Sequence, residues 1–370
     1  MTKVGETINS RWKLVDELSK DTGQGNTFLV VDGQNPDDNT KYVIKLLKVE
    51  DPKALARFEK EIRASFALKH RNIVKVKDSA YEDTPIPYLV TEYCSGKALT
   101  AEKIRNLPTI ERLRIFEYIC EAITHAHREG VIHRDIKPDN IFLENSDSLI
   151  PIVGDFGLCF FKDDKDAQRQ TASRESMGNW QFGSPERSRR EDHPSSSFDV
   201  YQLGKLLYWL LSNGVILDRE DYDVPYFDLR KDGAEHALYL AYEVFAKSVT
   251  KDPGHRYQTA AQMLDDVKEL VMFAESDGRY LDCAIPQSCL FCRVGNYDWE
   301  FLGTQDNDRY QFAEYGLSVH QIPVVPSPRI LFGKCGRCGN VQQFRLDDRV
   351  KRSSEWTNVP RSPHAPKLKE

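Results

Sequence analysis

Two short apolar runs, each leading into a loop dense with polar side chains, constrain this chain more than any other feature. The first run is Val131-Ile132, followed by His133-Arg134-Asp135-Ile136-Lys137-Pro138-Asp139-Asn140 and then by apolar Ile141-Phe142-Leu143. Fifteen residues beyond Asn140, behind the apolar stretch Ile150–Val153, comes Asp155-Phe156-Gly157. Both loops thus follow apolar segments. Among the side chains they carry are the carboxylates of Asp135 and Asp155, the amide of Asn140 and the ammonium of Lys137. Transfer of a phosphoryl group needs a carboxylate to orient the attacking hydroxyl, oxygen ligands for magnesium, and cations where charge develops. These four residues supply one of each kind.

The pattern on either side predicts an α+β protein. Before residue 93 it is mostly strand-like: Trp12–Leu18, Thr27–Val31, Tyr42–Leu47, Ile73–Val76 and Tyr88–Val90. One helix interrupts them, with Asp51-Pro52 as N-cap and first turn and with Leu55, Phe58, Ile62 and Phe66 at helical spacing. From Pro108 the spacing turns helical, with Leu113, Phe116, Ile119, Cys120 and Ile123 on one face. Further helices are expected over roughly Asp199–Leu211, Glu235–Val249 and Ala260–Phe273. A β-rich small lobe (about 1–93) and a helical large lobe (about 94–275) leave a cleft between them for a site. Residues 276–346 change character, with short strands and clustered cysteines. The polar stretch 347–370 is expected to be a mobile tail.

Composition narrows the function classes. The net charge of −6 gives no footprint for nucleic acid or anionic lipid. No apolar run reaches the ~18 residues of a membrane span, and Leu203–Leu217 reads as a buried helix. With no apolar stretch behind Lys3 and with Cys94, Cys120 and Cys159 scattered singly, a cytoplasmic location is expected.

The loops at 133–140 and 155–157 resemble the catalytic and metal-binding loops of the eukaryotic-type Ser/Thr protein kinase family. The resemblance implies that Asp135 is the catalytic base, that Lys137 contacts the transferred phosphate, and that Asn140 and Asp155 hold Mg2+. Tyr42-Val43-Ile44-Lys45 resembles the strand whose lysine grips the phosphates of ATP, and Glu61, sixteen residues on, lies between Phe58 and Ile62 as its partner. Leu89–Cys94 resembles the hinge, with backbone at Glu92 and Cys94 for the adenine edge and Thr91 in front of the back pocket. The glycine-rich loop aligns as Asp21-Thr22-Gly23-Gln24-Gly25-Asn26-Thr27-Phe28. There Gly23 stands at the second glycine, Asn26 at the third, Phe28 at the valine, and Gly25 adds flexibility. Ser184-Pro185-Glu186 resembles the close of the activation segment, with Arg256 as partner of Glu186. Asp199 is expected beneath the catalytic loop.

Within the segment from Asp155 to Glu186, Thr171, Ser173 and Ser176 are candidates for autophosphorylation, with Arg134 as the cation such a phosphate would meet. Asn179 stands where these kinases usually have Thr.

Two Cys-x-x-Cys pairs, Cys289/Cys292 and Cys335/Cys338, are separated by 42 residues. Two such turns complete a tetrahedral site, and the arrangement resembles a zinc ribbon holding structural Zn2+. Redox-active thiols and an iron–sulfur cluster are the other readings. Six basic and five acidic residues between Cys283 and Arg345 nearly balance, so docking against the kinase lobe or a protein partner is expected there rather than nucleic acid. The expected function is ATP- and Mg2+-dependent phosphorylation of Ser/Thr hydroxyls in protein substrates. The alternative is a pseudokinase scaffold or adaptor that works through the ribbon.

Overall fold

The computed structural model describes residues 3–19, 26–35, 37, 39–47, 52–81, 84–157, 159–161, 181–186, 195–229, 236–275, 297–301, 330–335, 341–345 and 357–358. Gly23, Gly25, Thr171, Ser173, Ser176, Asn179, Cys289, Cys292 and Cys338 lie outside the described residues. The chain divides into two compact units, one of residues 1–228 with 244–268, the other of 229–243 with 269–370. That division departs from the boundary expected at 275.

The first unit opens with six antiparallel strands, β1 (Thr7–Ile8), β2 (Trp12–Ser19), β3 (Asn26–Asp32), β4 (Lys41–Leu46), β5 (Val76–Ala80) and β6 (Tyr88–Glu92). Their order is β1-β2-β3-β4-β6-β5. Alternation puts Trp12, Leu14, Phe28, Val30, Tyr42, Ile44, Leu46, Tyr88 and Val90 in one core cluster. Polar atoms at its margin are satisfied: Trp12 Nε1 donates to Asp78 at 2.7 Å, and Arg11 forks onto Asp32. Helix α1 (Pro52–Ala67) packs Phe58 and Ile62 beside Leu89. Phe66, expected on this face, is 49% exposed, and Ser65 is buried in its place. At 100° per residue Ser65 falls about 20° from the direction of Phe58, and Phe66 about 80°.

Ile73–Val76 does not form the expected strand. Ile73 makes a parallel bridge with Val153, and pairing with β6 begins only at Val76. Val74 N donates to the Val153 carbonyl (2.9 Å), Val153 N to the Asn72 carbonyl (2.8 Å), and Asn72 Nδ2 to the Pro151 carbonyl (2.9 Å). The segment is thus spent joining the small lobe to the large one.

The large lobe comprises α2 (Ala101–Arg105), α3 (Thr109–Arg128), β7 (Val131–Ile132), β8 (Ile141–Leu143), β9 (Pro151–Val153), β10 (Phe160–Phe161), α4 (Ser196–Leu211), α5 (His236–Ser248) and α6 (Ala260–Glu275), the last two shared with the second unit. β8 pairs with β9 and β7 with β10, so the short apolar runs beside the two polar loops form strands. Every residue of α4 is buried, but the buried helix expected over Leu203–Leu217 stops at Leu211, because Asn213 and Gly214 turn the chain at positive φ and leave Val215 and Ile216 exposed. Among the described residues no helix is long and apolar enough to cross a membrane.

The second unit holds an antiparallel sheet in the order β11 (Tyr297–Phe301), β12 (Ile330–Cys335), β13 (Val341–Arg345) and β14 (Thr357–Asn358). β12 and β13 form the expected hairpin about 336–340. β14 pairs Thr357 with Gln343, so the stretch read as a mobile tail contributes a strand.

Candidate active site

The loop after β7 is shaped by α4 beneath it. Asp199, wholly buried in the first turn of α4, accepts from His133 N and Arg134 N, both at 2.8 Å, and from His127 Nε2 at 2.9 Å. One turn on, Gln202 accepts from Ile136 N (3.1 Å) and donates to the Arg134 carbonyl (3.2 Å). Four hydrogen bonds, two to Asp199 and two to Gln202, hold this loop with Arg134 at φ +68°, a left-handed conformation that costs such a residue on the order of 1–3 kcal/mol. Burial alone would raise the Asp199 pKa. The His127 bond and charge, then His133 and the Arg134 N–H, outweigh it and hold the carboxyl below the usual range.

Lys137 Nζ lies 2.7 Å from Asp135 Oδ2, and Asn140 Nδ2 donates to the same oxygen at 3.0 Å and to the Asp135 carbonyl at 2.7 Å. Both donors meet one carboxylate oxygen. Asp135 Oδ1 and Asn140 Oδ1 accept nothing among the described residues.

The loop after β9 is joined to the first. Gly154 N donates to the Asn140 carbonyl (3.0 Å), and His133 Nε2 donates to the Gly154 carbonyl (3.1 Å). The His133 ring packs on Phe156 with centroids 4.5 Å apart. The next carboxylate, Asp155, sits at φ +57°.

Lys45 connects this loop to the small lobe. Its ammonium is 2.7 and 2.8 Å from the two oxygens of Glu61 and 3.4 Å from Asp155 Oδ1. Burial pulls the lysine's pKa down, but Glu61 and Asp155 together outweigh it and raise it. Burial likewise raises Asp155, but Lys45 and then His133 overcome it and lower its pKa. Cys159 Sγ contacts the Lys60 carbonyl at 3.8 Å, tying the chain just past the 155–157 loop to α1.

Thr91 and Glu92 end β6, where Glu92 N donates to the Lys75 carbonyl (3.0 Å), and Cys94 follows with its carbonyl accepting from Lys97 N (3.1 Å). Burial pushes the Cys94 thiol up to about 11, so it is no nucleophile near neutrality.

The alignment of the glycine-rich loop needs correction at its end. Phe28 pairs with Ile44 and belongs to the small-lobe core, on the face away from Lys45. Thr27 pairs with Lys45 and Leu29 with Val43, so these two share the lysine's face. Asn26 pairs with Leu46 on the Phe28 side. Register is set by which residues the core buries, and a buried aromatic at 28 obliges Leu29 to line the cleft side. Alternation along Asn26–Asp32 was the signal for it. His127 and Gln202 were also missed, and the one-turn spacing of Gln202 from Asp199 was their trace in the sequence.

Glu186 and Arg256 meet as expected. Arg256 Nη1 and Nη2 bond the two Glu186 oxygens at 2.5 and 2.9 Å, both residues are buried, and Nε donates to the Thr250 carbonyl at 2.8 Å.

Comparison with known proteins agrees with this geometry: residues 17–268 match the protein kinase domain. The chain belongs to the protein kinase family. The curated relatives it matches are named serine/threonine-protein kinases. Serine/threonine-protein kinase PknB of Mycobacterium leprae is 31% identical over 272 residues, covering 70% of this chain and 43% of that protein. PknB of Mycolicibacterium smegmatis is 33% identical over 240 residues (60% and 38%). Serine/threonine-protein kinase PrkC of Bacillus subtilis is 29% identical over 274 residues (72% and 41%). The chain therefore spans less than half the length of these relatives.

Proposed function

We propose that this chain phosphorylates Ser/Thr hydroxyls of protein substrates with ATP and Mg2+. One observation carries the reading: Lys45 bridges Glu61 and Asp155 while Asp135, Lys137 and Asn140 form a second cluster joined to the first through the Gly154 peptide. The donor set fits the cofactor. Asn140 Oδ1 and the Asp155 carboxylate are hard oxygen ligands suited to Mg2+, and Lys45 and Lys137 are ammonium groups suited to phosphate oxygens. Bound MgATP would supply an electrophilic phosphorus and neutralise charge on its oxygens.

The chain's own residues do the rest. Lys137 and Asn140 occupy Asp135 Oδ2, which leaves Oδ1 to accept the proton of the substrate hydroxyl and aim its oxygen. Glu61 fixes the Lys45 ammonium, so little reorganisation is needed when a phosphate arrives. Leu29, rather than Phe28, covers the nucleotide side of the sheet. Autophosphorylation of Thr171, Ser173 or Ser176 belongs to the same proposal, with Arg134 at hand to meet the phosphate.

Labelled ATP with magnesium and a protein acceptor tests this reading. Asp135→Asn and Lys45→Met should each lower transfer by at least about 100-fold while the chain stays folded. Equal labelling in wild type and both variants would assign the signal to a contaminant and leave the scaffold alternative.

For the second unit the proposal is a structural Zn2+ held by Cys289, Cys292, Cys335 and Cys338, with a protein partner docking there. Its support is the sheet register. Tyr297 faces Cys335 across β11 and β12, so the end of the sheet where the chain enters β11, five residues after Cys292, is the end that carries Cys335. Elemental analysis should find about one zinc per chain, lost in Cys335→Ser.

A further inference from the structure

The kinase core leaves one surface segment unexplained, the loop after α4. From Asp218 to Asp228 it reads Asp-Arg-Glu-Asp-Tyr-Asp-Val-Pro-Tyr-Phe-Asp, five carboxylates against one cation. It is not loosely attached. Leu217 is buried, and Tyr201 on α4 donates to Glu220 Oε1 at 3.1 Å. The Tyr222 ring packs on Phe245 (5.7 Å), and Tyr208 donates to the Phe227 carbonyl at 2.7 Å.

These attachments leave an apolar crest outside. Val224 is 37% exposed, Pro225 is exposed, and Tyr226 is 81% exposed, its ring held edge-on against Phe227 with centroids 4.9 Å apart. Asp218, Asp221 and Asp223 beside it are exposed and bond no cation among the described residues. Among the described residues, Arg219 within the loop is exposed, and Lys205, which feels Glu220 and Asp218, is buried in α4. An exposed aromatic among exposed carboxylates that bond no cation has the composition of an anchor point. An aromatic side chain gives large contact area for little lost entropy, and surrounding charge selects the partner's sign.

We propose that the Asp218–Tyr226 loop is a docking surface for a basic segment of protein substrates that carries an apolar or aromatic residue. The inference rests on the kinase reading for the word substrate, but the contact itself needs no catalysis. The apolar residue covers Val224 and Tyr226, and the flanking Lys or Arg residues meet Asp218, Asp221 and Asp223.

The test uses the full chain and a fluorescein-labelled peptide of Lys and Arg around Leu and Phe, without Ser, Thr or Tyr, titrated without nucleotide. An acidic peptide of equal apolar content serves as control. Asp221→Lys/Asp223→Lys and, separately, Tyr226→Ala should each weaken binding of the basic peptide at least about tenfold. Both variants change exposed positions, and unaltered melting shows them folded. Raising salt from about 50 to about 300 mM should weaken the wild-type complex too. In the kinase assay, appending the basic segment to an acceptor should lower its KM for wild type and not for the variants, with kcat unchanged. Equal binding by wild type and either variant, or equal binding of the acidic control, overturns the docking surface. Variant-sensitive binding without any phosphoryl transfer would sink the catalytic reading and leave the docking surface standing.

Discussion

Lys205 is 4% exposed in the middle of α4, and its amine makes no hydrogen bond or ion pair among the described residues. It lies over the Tyr201 ring at 5.8 Å. Burial lowers its pKa from 10.5 to about 8, against the pull of Glu220 and Asp218. Because the folded value is depressed, the unfolded chain binds more protons between these two pH values, and stability rises with pH across that window. Below it the full cost applies. Lys205→Met should therefore stabilise the protein by on the order of 3 kcal/mol at about pH 7, a gain that fades as pH approaches about 10.5. Denaturant titrations at both pH values measure it. Leu29 and Phe28 offer a second residue-scale separation. Phe28→Ala should cost about 3–5 kcal/mol of stability by emptying the core. Leu29→Ala should raise the KM for ATP several-fold at a smaller stability cost, because its side faces the Lys45 cleft. A thermal melt beside an ATP titration separates the two.

At the scale of elements, α4 is the part on which the rest is assembled. Asp199 in its first turn and Gln202 in the next sit under the loop after β7, and its middle approaches the end of α5 closely enough that a Cβ on Gly204 would lie 2.8 Å from Ser248 Cβ. Its start is also clamped from outside, since Arg256 Nη1 bonds the Ser197 carbonyl at 3.2 Å as well as Glu186. Cutting that fork leaves a buried carboxylate without its cation. Arg256→Ala should lower stability by about 3–5 kcal/mol, and Arg256→Lys should recover only part of it, because an ammonium cannot reproduce the two-pronged geometry. Chemical denaturation of the three proteins checks the order. These links were legible in part: Ser184-Pro185-Glu186 and Arg256 stood out as partners, whereas the bond to the Ser197 carbonyl leaves no side-chain trace.

At the scale of the whole kinase domain, the two lobes are joined through Asn72–Val74 and β9 as well as through the hinge. Asn72→Ala would leave the buried Pro151 carbonyl without its donor, so a loss of about 1–3 kcal/mol is expected by thermal or urea unfolding. Acid should unfold the domain by a related route. Asp155 and Asp199 both have depressed folded pKa values, so the stability they add above their ordinary 3.8 is lost as pH falls through the folded values. The proposed chemistry of the site was legible through a resemblance, since His133–Asn140, Asp155, Lys45 and Glu61 match the motifs of the protein kinase family by type and spacing. The α+β character was readable too, since periodicity reports which faces are buried. What only the tertiary structure decided were the matters set by partners remote in sequence. It put Ile73 opposite Val153 instead of in the sheet, turned Phe28 into the core and Leu29 toward the cleft, exposed Phe66, and drew Thr357 into a strand. Each follows from the register or rotation that lets a whole core close at once, a condition no local window of residues contains.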